Sequence, residues 1–456
     1  MEKKTWLVFL FLWSSSSFSE IVQEPLEFHA YFRAGAAVSQ GLTEGVCYRL
    51  PGAPTEFSRF GNECGLYSEV YMSKAYQSMG GVQYKAHFTL AFSSDGNATW
   101  EDSAGTNDDL VVAHREAYVE AIGVLGEKGS IWAGKRFYNR YHLEMWDFFL
   151  LDQSGTGWGL ERLSLGSGLI DVAMFRHFSH ESDSPLNLTG DIRFHSIPLG
   201  AGRIGIAMIY GQLSEQGRET GQKKCIGVSG QQYTLDYKFR GRFWDYRTYV
   251  QYGLGLYGGR PELEYGHQTG STIQVFNATS FDRSLDGQRA AQAWQNSSTI
   301  RWIHDIHYVP PDSAFQWNIA LAWTRVDFGE RLDESSEMIP VRDTLSAGVH
   351  PTWFLNEFWG IDADFYYTRI DNGLPRQNFD GSSGDIYIER TLGKATLGLV
   401  VRPDSIYQVK PQIRLYGTYA DWNDAQQGDR LITDGSQVFE ASSDGFTLGI
   451  QGEVWW

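Results

Sequence analysis

The chain has 456 residues, 50 of them glycine and 13 proline, with aromatics at 15 % and a formal charge of −17. That charge argues against a nucleic-acid partner, because no basic tract offsets phosphate repulsion. One compact soluble domain of this length is oversized, yet no linker or composition shift marks a boundary, and three cysteines are few for a disulfide-rich secreted scaffold.

Residues 1–19 read as a signal peptide. Lys3 and Lys4 form a basic n-region, Trp6 to Trp13 (WLVFLFLW) an apolar h-region, and Ser17-Phe18-Ser19 an A-x-A-like cleavage site. Eight apolar residues are too few to span a bilayer. The mature chain is expected to start at Glu20 and to form a single domain over 20–456. The rest of the sequence holds no run of eighteen apolar residues, which excludes spanning helices. A soluble secreted protein and a transmembrane barrel both remain, since the per-strand signal of a barrel is weak.

Period-2 patterning and glycine/proline punctuation predict strands near 26–36, 62–76, 81–94, 113–126, 130–138 and 157–166. Six more fall near 168–177, 188–197, 202–214, 231–240, 243–257 and 292–309. The last six fall near 314–328, 339–354, 358–371, 386–403, 408–422 and 444–456. The connectors alternate in length. Short ones such as Met79-Gly80-Gly81, Pro198-Leu199-Gly200 and Pro310-Pro311-Asp312 separate long ones such as 37–61, 95–112, 258–291 and 423–443. Nine long and eight short connectors suit an up-and-down antiparallel barrel of 18 strands, its long loops outside and both termini on the turn side.

Between the fifth and sixth strands, Gly129 to Gly159 carries LEMWDFFLL at Leu143 to Leu151, seven apolar residues broken only by Glu144 and Asp147. An exposed loop with that much aromatic area would aggregate, so something must cover it. A wide barrel can take this third loop inside, its apolar side on the inner wall and Glu144, Asp147 and Asp152 toward water. Taken alone, the stretch also fits a buried helix or strand of a soluble core.

Side-chain parity assigns faces. In the last strand Phe446, Leu448, Ile450, Val454 and Trp456 share one side, with Thr447, Gln451, Glu453 and Trp455 on the other. The first strand repeats this, with Leu26, Phe28, Ala30, Phe32 and Ala34 opposite Glu27, His29, Tyr31 and Arg33. An apolar outside and a polar inside match a water-filled barrel in lipid. The strand near Arg115 alternates poorly, which fits either a subunit interface or a misplaced register.

At these residues the chain resembles the maltoporins, trimeric eighteen-stranded sugar porins of the bacterial outer membrane. The matching segments are FHAYFRAG (Phe28 to Gly35), RFGNEC (Arg59 to Cys64), IWAGKRFY (Ile131 to Tyr138), Asp147-Phe148, Gly159 to Glu161 and the terminal Trp455-Trp456. The match is strong before about residue 165 and at the end, and thin between 178 and 300.

The resemblance implies a homotrimer in the outer membrane that passes oligosaccharides, with no cofactor and no metal. A pyranose has an apolar face and a rim of hydroxyls, so its passage needs flat aromatic surface and charged hydrogen-bonding groups. By the resemblance, Tyr31, Tyr67 and Trp455 belong to an aromatic slide, and Trp100 is the slide residue supplied by a neighbouring subunit. Arg33, Arg59, Glu69, Arg115, Arg140, Asp147 and Asp152 match polar groups of the pore. A Cys47–Cys64 disulfide is likewise implied, worth about 3 kcal/mol through the unfolded chain, while Cys225 is left without a partner by count. Departures stand beside the matches. Phe149 occupies the tip of the inward loop where maltoporins have a tyrosine, His142 and Glu144 replace Asp and His, and Leu355 replaces an exit tryptophan.

Catalysis finds little support, with no G-x-S-x-G, no H-E-x-x-H and no zinc spacing among the cysteines. Three readings remain: a sugar-selective porin for maltodextrins or related oligosaccharides, a general diffusion porin, and a soluble secreted sugar-binding β-protein. The last leaves the outward apolar faces unexplained.

Overall fold

The structure is a computed structural model. It describes residues 22–41, 43–48, 50, 58–63, 65–78, 80–94, 110–138, 140–146, 148–177, 187–213, 229–258, 295–310, 313–329, 338, 340–373, 376–377, 383–384, 388–403, 411–423 and 443–456. Residues 1–19, Cys64, Trp100, Asp147 and Cys225 lie outside them, as does most of the long connectors 95–112, 258–291 and 423–443.

Eighteen strands of 7 to 18 residues build the wall. In order they are Val22–Ser39, Leu66–Gln77, Gln83–Ser94, Val111–Ile122, Ser130–Arg136, Gly155–Leu165, Gly168–His177, Asn187–Leu199 and Gly202–Leu213. Then come Ser229–Arg240, Trp244–Gly255, Ser298–Tyr308, Phe315–Asp327, Arg342–Phe354, Trp359–Gly373, Ile388–Val401, Gln412–Trp422 and Asp444–Trp455. Each pairs antiparallel with the next. The sheet closes where the first strand meets the last, Tyr31 opposite Trp455 and Arg33 opposite Glu453. A closed sheet leaves no edge and pairs the backbone within the wall, which is what lipid demands.

The two faces separate as the alternation requires. Phe446, Leu448 and Ile450 are 43 to 50 % exposed, whereas Thr447, Gln451 and Glu453 on the other face are at most 4 % exposed. Aromatic rings gather outside at the turn-side ends of the strands. Trp244 sits 4.6 Å from Tyr308 and 5.2 Å from Trp317, and Phe315 sits 5.1 Å from Trp353, the girdle expected at a membrane interface.

The irregular alternation near Arg115 has a local cause. Thr89 pairs with Glu116 and the next residue, Leu90, with His114, so Arg115 is the extra residue of a β-bulge. Side-chain parity reverses across it, and a strict period of two fails there. A second bulge puts Arg162 at φ 58°, where its N–H donates to Asp171 Oδ1 at 2.6 Å. The buried carboxylate supports a backbone conformation that non-glycine residues seldom adopt.

The third long loop lies inside the barrel. Tyr141–Leu143 and Phe148–Leu150 form a short hairpin around one 3-10 turn, Glu144–Trp146. Leu143, Met145, Trp146 and Leu150 are buried against Tyr249, Ile303, Ala320, Ala322 and Tyr366 of the inner wall. The small wall residues Ala320 and Ala322 make room for the loop rings.

The first long connector also turns inward, which the expectation of external long loops did not include. Val46, Tyr48 and Leu50 pack on Ile370, Leu392, Ala420 and Trp422. Beyond them, Ser58 donates to Asp364, and Lys394 Nζ donates to the carbonyls of Ser58 at 2.6 Å and Phe60 at 3.2 Å. Gly61 closes the turn at φ 69°, and a Cβ there would lie 2.2 Å from Thr418 Oγ1. Only glycine combines that backbone with that approach.

Candidate functional site

The first, second and last strands meet at the closure seam, and their inward residues form one patch. Their registers set Tyr31 beside Glu69 and Trp455, and Arg33 beside Tyr67 and Glu453. The Tyr31 and Tyr67 rings are 6.1 Å apart, and Tyr31 and Trp455 are 6.5 Å apart. Three rings from the first, second and last strands therefore follow one another beside the seam. Trp455 stands at the turn-side end and is 47 % exposed to the lumen.

Beside the rings runs a chain of ion pairs. Arg33 meets Glu63 at 2.5 Å, and Arg59 bonds Glu63 through Nε and Glu453 through Nη2 at 2.5 Å. Arg414 completes it, 3.1 Å from Glu453 and 3.9 Å from Glu63. Arg59 Nη2 also donates to the Tyr31 hydroxyl at 2.9 Å, and that hydroxyl donates to Glu453 at 3.1 Å. Tyr67 donates to Glu69. Tyr31 and Tyr67 are thus each held at the phenol end by a charged group, which fixes the ring.

The inward loop supplies the other wall of the passage. Its connection to the first-loop segment is direct, since the Arg59 N–H donates to the Met145 carbonyl at 2.8 Å. Arg193 donates to the Leu151 carbonyl at 2.8 Å and anchors the return of the loop. Phe149, expected at the loop tip, instead pairs with His142 on the arms of the hairpin whose turn is Glu144–Trp146, and beside it Arg140 lies 3.5 Å from the Phe137 ring centre and 4.0 Å from that of Phe149. His142 stacks on Phe149 at 4.5 Å. Arg115 reaches the same Phe137 ring at 4.9 Å. Asp152 accepts the Ser154 N–H at 2.8 Å and closes the loop rather than facing open water alone.

The predicted residues Tyr31, Tyr67, Trp455, Arg33, Arg59 and Glu69 thus come together at the seam, and Arg115, Arg140, Phe149 and Asp152 at the loop. Asp147, Trp100 and Cys64 lie outside the described residues. Cys47 is buried. Four participants were missed. Glu453 stands on the inward parity of the last strand, Glu63 lies within RFGNEC and Phe137 within IWAGKRFY, so their signals were present. Arg414 sits on a strand whose Arg414-Leu415-Tyr416 alternation marks it as inward, but nothing in the sequence pairs it with the opposite end of the chain.

Comparison with known proteins places this architecture. A protein of Photobacterium profundum named Maltoporin is 26 % identical over 459 residues, covering 96 % of this chain and 95 % of its own. A Maltoporin of Hahella chejuensis is 23 % identical, covering 94 % and 92 %. Among solved structures, OccAB1 of Acinetobacter baumannii superposes over 94 % of this chain and 96 % of its own with a TM-score of 0.46 at 11 % identity. The LamB porin profile matches residues 26–456, from the first strand through the closing one. The chain belongs to the LamB porin family, a channel of the bacterial outer membrane and not an enzyme.

Proposed function

We propose that this porin is sugar-selective and lets maltodextrins or related linear oligosaccharides diffuse passively along an aromatic slide. The observation that carries the reading is the row of Trp455, Tyr31 and Tyr67, spaced 6.5 and 6.1 Å, with the Arg33, Arg59 and Arg414 ion pairs alongside. Ring faces suit the apolar side of a pyranose, and the charged rim suits its hydroxyls. The relatives named Maltoporin support the same substrate class. Trp100, from a neighbouring subunit, would begin the slide, and Asp147 would join the polar track. Phe149, His142, Glu144 and Leu355 set this pore apart, so its preferred sugar need not be a maltodextrin.

The assembly we infer is a homotrimer with a signal peptide over 1–19 and a Cys47–Cys64 disulfide in the first loop. Support for the trimer comes from polar side chains on the outer face. His114 lies against Phe88 at 5.2 Å, and the Lys135 ammonium donates to the His114 carbonyl, on the long-loop half of two wall strands. Ionisable groups on the outer face of a wall are costly against hydrocarbon and suit a protein neighbour.

The test is ion current through single channels in planar bilayers. Saturable block by linear oligosaccharides is expected. Current indifferent to every such sugar would transfer the reading to a general diffusion porin.

A further inference from the structure

We propose that the arginine pair at the base of the inward loop is a binding site for an anionic group, so that the preferred substrates are oligosaccharides carrying a carboxylate. This rests on the sugar-pore reading and narrows it.

Arg115 and Arg140 are both held against the Phe137 ring, at 4.9 and 3.5 Å, and Arg140 is also 4.0 Å from Phe149. Two like charges are thereby kept close together. Among the described residues neither guanidinium has a hydrogen bond or an ion pair; their contacts are with rings. The other arginines beside the slide differ, since Arg33, Arg59 and Arg414 all reach Glu63 or Glu453.

Among the described residues, the carboxylates of Asp152 and Glu69 lie near enough to act on Arg140 through space, and each is held by a neutral donor rather than by a guanidinium hydrogen bond. Glu116 accepts the Thr89 hydroxyl at 2.8 Å and the Phe137 N–H at 2.9 Å, and Asp152 accepts the Ser154 N–H at 2.8 Å. Glu69 accepts the Tyr67 hydroxyl. With its face against aromatic carbon, a guanidinium keeps only its N–H edge for bonding. That edge matches the two oxygens of a carboxylate better than the single oxygen of a hydroxyl. An anion between Arg115 and Arg140 would also relieve their mutual repulsion. His142, stacked on Phe149 at 4.5 Å, puts no carboxylate there to compete.

The experiment compares maltotriose with the same trisaccharide after oxidation of its C6 alcohols to carboxylates, reading block of ion current. In 0.1 M KCl the carboxylated sugar should bind about tenfold more tightly, and the ratio should fall toward one in 1 M KCl as salt screens the contact. Arg140→Gln and Arg115→Gln, each checked for native assembly by its mobility in SDS before and after boiling, should each lower that ratio at least threefold. The double variant should bring it near one.

A wild-type ratio below threefold, or a ratio unmoved by the double variant, overturns the proposal. If maltotriose alone blocks, the anion site falls and the sugar pore stands. If the carboxylated sugar alone blocks, the anion site stands and the neutral-sugar reading falls. If neither blocks, both fall.

Discussion

Trp455 is the residue on which the proposed slide ends, and that proposed role can be separated from its place in the sheet. Its backbone pairs with Tyr31 whatever side chain it carries, while its ring lies 6.5 Å from that of Tyr31 and faces the lumen. Removing one ring of several should weaken sugar binding by about 0.5–1.5 kcal/mol, the usual scale of an aromatic contact beyond burial. Trp455→Ala is therefore expected to reduce oligosaccharide block several-fold in bilayer recordings, with open conductance almost unchanged. Phe149→Tyr examines the arm of the inward hairpin. Arg140 contacts the ring face at 4.0 Å, so an added phenol leaves that contact in place and brings a hydroxyl to the constriction. Stronger block by maltodextrins is expected, and weaker or equal block would show that substrate choice was altered elsewhere. Cys47 belongs to the same scale. A non-reduced digest examined by mass spectrometry should link its peptide to that of Cys64, and alkylation of both as free thiols would refute the pairing.

At the scale of the element, the strands were legible and the loops only partly so. Phe446, Leu448 and Ile450 alternate with Thr447, Gln451 and Glu453 because lipid and water lie on opposite sides of a wall one residue thick. Every strand that meets both solvents leaves that trace. The strand through Arg115 does not, because a bulge shifts the count by one and no local residue type announces it. The inward third loop was legible from LEMWDFFLL, since its apolar content demanded cover. The first-loop segment was not, because its anchors at Asp364, Lys394 and Thr418 lie more than 300 residues away in sequence. The cluster of Arg140, Phe137 and Phe149 was hidden for the same kind of reason, as loop contacts have no period. Two substitutions probe these loops. Trp146→Ala empties the center of a cluster whose members include Leu143, Leu150 and Tyr366. By analogy with other core aromatics it should cost the seat of the loop about 3–5 kcal/mol, and larger, noisier open-channel currents are expected. Gly61→Ala places a methyl group 2.2 Å from Thr418 Oγ1 at φ 69°. It should displace the first-loop segment and raise its proteolytic cleavage on intact vesicles, while a cleavage rate equal to wild type would show that the turn adapts.

The whole molecule makes a coarser prediction. A sheet of eighteen strands with its first and last members joined has no frayed edge at which detergent can begin to separate it. Purified protein should require detergent, migrate in SDS as a compact trimer before boiling and shift to a monomer after it. A monomer soluble without detergent would contradict the barrel in lipid.

The buried third loop also constrains how the molecule is made. Its ends leave from Arg136 and return at Gly155, while Met145 and Trp146 are seated on strands between Trp244 and Gly373. Those strands are synthesised later than the loop, and the seam between Tyr31 and Trp455 joins the two extremes of the chain. A ring that closed first would have to admit a cluster of large side chains through its mouth. The seat of the loop is therefore complete only when strands as late in the chain as Trp359–Gly373 are in place. Closing the seam brings together residues from the two extremes of the chain, so its pairing carries a large loop-closure entropy.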